Sequence, residues 1–137
     1  MPTNTAGTPA RMLPFQATHY LRRRVTYADV SGTQYKMGVL PTGALVLGTS
    51  IAVKTAFNAG TTNVLIVGTL ADDDALVAAA GVDETAVALT RVTPATLAGL
   101  VAPTADTAIY TKYTQTGTAA SAGETIVVVE YVVDNDQ

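Results

Sequence analysis

Few side chains in this 137-residue chain are suited to acid–base or metal chemistry, and their spacing gives little support to either. His19 is the single histidine and cysteine is absent, so one chain can assemble neither a His-rich nor a thiolate metal site. Two carboxylate pairs have the residue types for glycoside hydrolysis: Glu124 with Glu130, and Asp83 with Glu84. Glu124 opens a strand-like run and Asp83-Glu84 falls in a loop, and neither setting poses an acid against a base. Asp72-Asp73-Asp74 suggests calcium but lacks the alternating Asp/Asn ligands, central Gly and distal Glu of a calcium loop. No nucleophile elbow, phosphate-binding loop or dinucleotide fingerprint occurs. The reading is a non-enzyme with no catalytic residue, no metal and no cofactor.

Carbohydrate binding is the more serious alternative. Sugar sites use aromatic platforms, and this chain has six Tyr, two Phe and no Trp. Tyr110 and Tyr113 point to opposite faces of a regular strand, which weakens a shared platform.

Composition points to assembly. Hydrophobic residues make up 48% and charged residues only 14%, against roughly 25% charged in an average globular protein. Mean hydropathy is +0.29, yet no apolar run approaches the ~20 residues that span a bilayer, so no membrane role follows. The surplus lies in Ala, Val and Thr, leaving a surface of small residues that costs little to desolvate against a neighbour. A net charge of −3 and a pI near 4.8 argue against nucleic acid as partner. The N-terminus lacks the basic start and apolar core of a signal peptide, which implies cytoplasmic synthesis.

The elements follow from periodicity. Residues 1–18, with Pro2, Gly7, Pro9 and Pro14, read as an extended or flexible arm, and 19–137 as one β domain. His19 to Val30 is the first strand candidate, with Arg23 interrupting the more apolar face of Leu21, Val25 and Tyr27. Half of the basic residues (Arg11, Arg22, Arg23, Arg24) fall within 11–24, while the acids gather in 72–84 and 124–136. This basic end reads either as a solvated edge that discourages aggregation or as a contact for an acidic neighbour, or phosphate, in an assembly. Gln34 to Leu40 is a second strand.

Within 41–70, Leu45, Leu47, Thr49, Ile51, Val53, Thr55 and Phe57 share one face. The apolar run Val64–Val67 reads as a strand near a sheet centre, and the Asn58–Thr62 link suggests that the two runs pair as a hairpin. Ala71–Gly81, with acids at its start and Gly at its end, reads as one short helix. Further strands are expected at 87–92, 107–114 and 124–133, whereas the Thr93-Pro94 and Ala102-Pro103 region reads as an edge or loop. Glu124 to Val133 is apolar on both faces, as if covered by the core on one side and a subunit or partner on the other. Seven or eight strands without long helices favour an all-β antiparallel sandwich of jelly-roll type with that one short helix.

The phrases GVLPTGALVLGTSIAVKTAFNAGTTNVLIVGT, ADDDALVAAAGVD and TAIYTKYTQTGTAASAGETIVVVEYV resemble small virion proteins of tailed bacteriophages, the head decoration or cement type. The resemblance runs from about Gly38 to Val133. It implies a jelly-roll domain made in the host bacterial cytoplasm and placed on the outer capsid surface. The implied partners are the major capsid protein and further copies of the chain, as homodimer or homotrimer. It implies no catalytic residues. On this reading the arm and Arg11, Arg22, Arg23 and Arg24 contact the capsid, while the 41–70 segment and the C-terminal strand form the core and self-association surface. The alternative is a tail- or fibre-associated carbohydrate-binding module for host attachment.

Overall fold

A computed structural model describes residues 17–93 and 103–133. The arm up to Gln16, Arg11 within it, the segment 94–102 and the acidic tail 134–137 lie outside the described residues. Among the described residues seven strands form: β1 (His19–Thr26), β2 (Gln34–Leu40), β3 (Leu45–Thr55), β4 (Thr62–Gly68), β5 (Ala88–Val92), β6 (Thr107–Thr116) and β7 (Glu124–Val132). They make two antiparallel sheets, ordered β1-β7-β3-β5 and β2-β6-β4.

Every connection crosses from one sheet to the other, so no two consecutive strands pair. That is the winding of a jelly roll, which has eight strands in two sheets. The missing strand is reduced to one antiparallel bridge, Val67 to Val77, on the open side of β4. The core lies between the sheets, where Val25, Ile51, Val127 and Val129 of one meet Leu40, Leu65, Ile109 and Tyr113 of the other.

This topology corrects the expected hairpin. β3 takes β7 along one edge and β5 along the other, while β4 pairs with β6 in the opposite sheet. The Asn58–Thr61 link runs against the β6–β7 loop instead. The Asn58 side-chain oxygen accepts from the N–H groups of Ser121 and Ala122 at 2.9 and 3.0 Å, and Gly60 N–H donates to Thr118 O at 2.8 Å. Turn chemistry therefore anchors a crossing between layers.

The expected helix is absent: among the described residues there is none. Ala75, Leu76 and Val77 are buried in succession, which a lone amphipathic helical turn cannot achieve. Thr69 and Asp72 close a tight turn, with Thr69 N–H on Asp72 O at 2.8 Å, and Leu76 and Val77 then return along β4. So short a segment also lacks the length to offset helix nucleation.

Two smaller departures follow from register. The β3–β7 pairing is irregular between Val46 and Gly48, so Val46 turns inward and Leu45 outward, against simple alternation. β4 lies at the end of its three-stranded sheet rather than at its centre, and its apolar run is buried because the 75–77 segment and Glu84 cover its outer edge.

Candidate interaction face

The four-stranded sheet presents its second face to the outside. Thr125, Val127 and Val129 point inward on β7, so Glu124, Ile126, Val128 and Glu130 point outward. The register aligns these with neighbours in rows. Arg24, Ile126, Ala52 and Leu89 form one row, and Arg22, Val128, Ser50 and Arg91 the next. Tyr20, Glu130 and Gly48 lie beyond them. Leu89 is 74% and Tyr20 63% exposed.

The outward residues of β3 are small over Gly48, Ser50 and Ala52, so the middle of the face lies low between Ile126 and Val128 on one side and Leu89 on the other. Arg91 lies flat across it, donating to Ser50 Oγ at 3.0 Å and to Glu130 at 2.9 Å. Gly48 permits this, since a Cβ there would stand 2.9 Å from the Arg91 guanidinium. At the other end Arg24 donates to Glu124 at 2.6 Å, and Lys54 stands 3.6 Å from the same carboxylate. The hydrogen bond from Arg24 holds the Glu124 carboxyl below its usual range. The face is thus an apolar strip closed at both ends by ion pairs.

The arginines named from sequence divide. Arg22 and Arg24 lie on the outer face of β1, an edge strand. Arg23 points between the sheets with its side chain 19% exposed, pairs with Asp29 at 2.8 Å, donates to Thr111 Oγ1 at 2.8 Å and stacks 4.6 Å over the Tyr35 ring. It ties the two sheets together. Arg11 lies outside the described residues. Lys54 and Arg91 complete the face and were not visible as part of it, because only the strand register brings them beside β7.

Most of the other chemistry-bearing groups are occupied structurally. Glu124 and Glu130 are six residues apart on one strand, roughly 20 Å at ~3.3 Å per residue, well beyond the ~5–9.5 Å of a glycosidase pair. Glu84 is buried, and its carboxylate accepts the Leu65 N–H at 2.7 Å; burial pushes its pKa up. Asp83 turns away to accept from Thr85 N and Oγ1, which lowers its pKa. Asp73 pairs with Lys112. Asp72 has its pKa raised by a hydrogen bond with Asp74. His19 stacks on Tyr131 at 5.7 Å. Tyr113 is buried against Phe57 and donates to Asn63 at 2.8 Å, so it shares no aromatic platform with Tyr110. Among the described residues no cluster of three His, Asp or Glu could hold a metal ion, and no helix is long and apolar enough to cross a membrane.

Chains of solved phage capsids share this fold. One, in the capsid asymmetric unit of cyanophage Pam1, superposes with a TM-score of 0.61 at 18% identity over 86% of this chain and 84% of that one. Another, in the capsid of Ralstonia phage GP4, gives 0.62 at 20% identity over 87% and 84%. A third, in the acid-stable capsid of Helicobacter pylori bacteriophage KHP30, gives 0.52 at 14% over 86% and 90%. No protein-family model and no curated protein matches the chain. At these identities the likeness defines the class of fold: an all-β jelly-roll sandwich of a kind found among phage capsid chains.

Proposed function

We propose that this chain is a structural protein of a bacteriophage virion, a head decoration or cement protein. It binds the outside of the major capsid shell and stabilises the head by bridging capsomers. The observation that carries this reading is the matched coverage. Each capsid chain is aligned over nearly the same share of its own length as of this chain, so each is of similar size. The likeness is to a small capsid chain as a whole, not to one domain of a large protein.

The physical chemistry agrees. A filled head is under outward pressure, and a small protein seated across a seam adds buried area where the shell would open. At about 25 cal/mol per Å² of apolar area, a modest contact repeated around the shell adds much to its stability. Residues 1–18 would serve as an arm reaching a neighbouring subunit, since extended chain spans up to ~3.3 Å per residue. Self-association as dimer or trimer belongs to the same proposal.

The test uses heads of the encoding phage from which this chain is deleted. They should release DNA at a lower temperature than wild-type heads and regain stability when purified protein is added back. Heads of unchanged stability, to which the protein does not bind, would refute the reading. Deleting residues 2–17 should weaken binding while leaving the thermal unfolding of the β domain in place; normal binding would remove the arm from the account.

A further inference from the structure

The charge on the outer face of the four-stranded sheet differs in sign from that of the whole chain. Among the described residues, Arg22, Arg24, Lys54 and Arg91 stand on it against Glu124 and Glu130, a surplus of two positive charges in a chain of net charge −3. Elsewhere among the described residues acids outnumber bases, with Asp72, Asp73, Asp74, Asp83, Glu84 and Asp106 against Lys36 and Lys112 apart from the internal Arg23–Asp29 pair. The basic groups surround apolar side chains, Ile126, Val128 and Leu89, on a surface kept low by Gly48, Ser50 and Ala52.

We infer that this face is the one seated on the capsid shell, and that it fits a protein surface combining apolar side chains with carboxylates. The inference rests on the proposed capsid function and adds which surface meets the shell and what chemistry it meets. A second copy fits poorly face to face, because a two-fold contact opposes the same patch to itself and would bring two basic surpluses together. The apolar strip supplies area that can be desolvated cheaply. The end ion pairs are already formed, so Glu124 and Glu130 need no new partners on docking. Arg22, on the edge strand, adds a cation at the border of the contact.

The experiment measures binding of purified protein to heads lacking this chain, with sedimentation of the free protein and thermal unfolding alongside. Ala52→Glu, Val128→Glu and Arg22→Glu alter the face, whereas Lys36→Glu and Thr114→Glu alter the outside of the other sheet. The face variants should bind at least tenfold more weakly, the controls should bind as wild type, and wild-type binding should weaken as salt rises. Arg22→Glu, at an exposed position, carries the test if the strand-interior variants fail to fold. Equal binding by all variants, or loss confined to the controls, would overturn the inference while leaving the capsid function intact. Face variants that change only the oligomeric state would also overturn it, by assigning the face to contacts between copies. A wild-type protein that does not bind heads would refute the capsid function and the inference with it.

Discussion

The Glu84 carboxylate accepts a 2.7 Å hydrogen bond from the backbone N–H of Leu65, so a buried acid sits where an eighth strand would pair with β4. Two residues along, the Val67 N–H is taken by Val77 O at 3.1 Å. A side chain and a single bridge thus satisfy a strand edge that would otherwise be left with buried, unpaired donors.

Replacing Glu84 with Ala leaves the Leu65 N–H without its acceptor and should cost about 1–3 kcal/mol. Glu84→Gln keeps an acceptor and should cost less. Chemical denaturation of both variants checks the order, and equal losses would show that the hydrogen bond is not what matters.

The same residue sets a pH dependence. Burial raises the folded-state pKa of Glu84 above its ordinary value of 4.5. The folded state therefore binds this proton more tightly than the unfolded chain. The linked stability is fully present below the unfolded pKa and is lost as pH rises through the folded pKa. Glu84→Gln should abolish that component, flattening the stability–pH curve above pH 4.5, through the Glu84 titration, relative to wild type. Superimposable curves would contradict the assignment. Glu124 behaves oppositely: its depressed pKa gives stability that is present above the unfolded pKa and lost as pH falls through the folded one. Arg24→Ala should move the Glu124 titration, followed by NMR, upward toward the ordinary carboxylate range.

Arg23 and Arg22 should part company on mutation. Arg23→Ala strands Asp29 and removes the hydrogen bond to Thr111, and should cost about 1–3 kcal/mol. Arg23→Lys cannot reproduce the planar stacking over Tyr35 together with both hydrogen bonds and should rescue only part of it. Arg22→Ala should leave thermal unfolding unchanged and weaken shell binding. A stable Arg23→Ala protein would remove the tie between the sheets from the account.

Gly123 has a φ of +147° and lies against the Phe57 ring, which in turn packs 4.7 Å from Tyr113. A Cβ at position 123 would enter the ring, so Gly123→Ala should destabilise by about 1–3 kcal/mol. Combined with Phe57→Leu, the two losses should sum to less than their separate values. Strict additivity would mean that ring contact is not the cause.

Where strands lie was largely legible, because period-two patterning in runs such as Glu124–Val132 depends only on neighbours in sequence. Which strands pair was not. Val64–Val67 and the run before it carry the local marks of a hairpin, yet the partners of β3 are far along the chain, Leu45 with Val132 and Thr55 with Glu124 at β7, and nearer at β5. The acidic start and terminal Gly of Ala71–Gly81 satisfy helix-capping rules, but the burial of Ala75, Leu76 and Val77 against β4 decides otherwise. Tertiary packing overrides a weak local preference there. The proposed interaction face was half visible. Apolar residues on both sides of β7 call for a cover, whereas Lys54 and Arg91 enter only through register. Arg23 read as one of a basic trio, although its place among Leu21 and Val25 already marked it as inward-facing.

The central claim is tested most directly by counting this chain in purified particles of the phage proposed to encode it, relative to the major capsid protein, by quantitative mass spectrometry. A decoration or cement protein should be present in a simple ratio to the shell subunit. A few copies per particle would move it to the neck, tail or fibres, and absence from the particle would contradict the account.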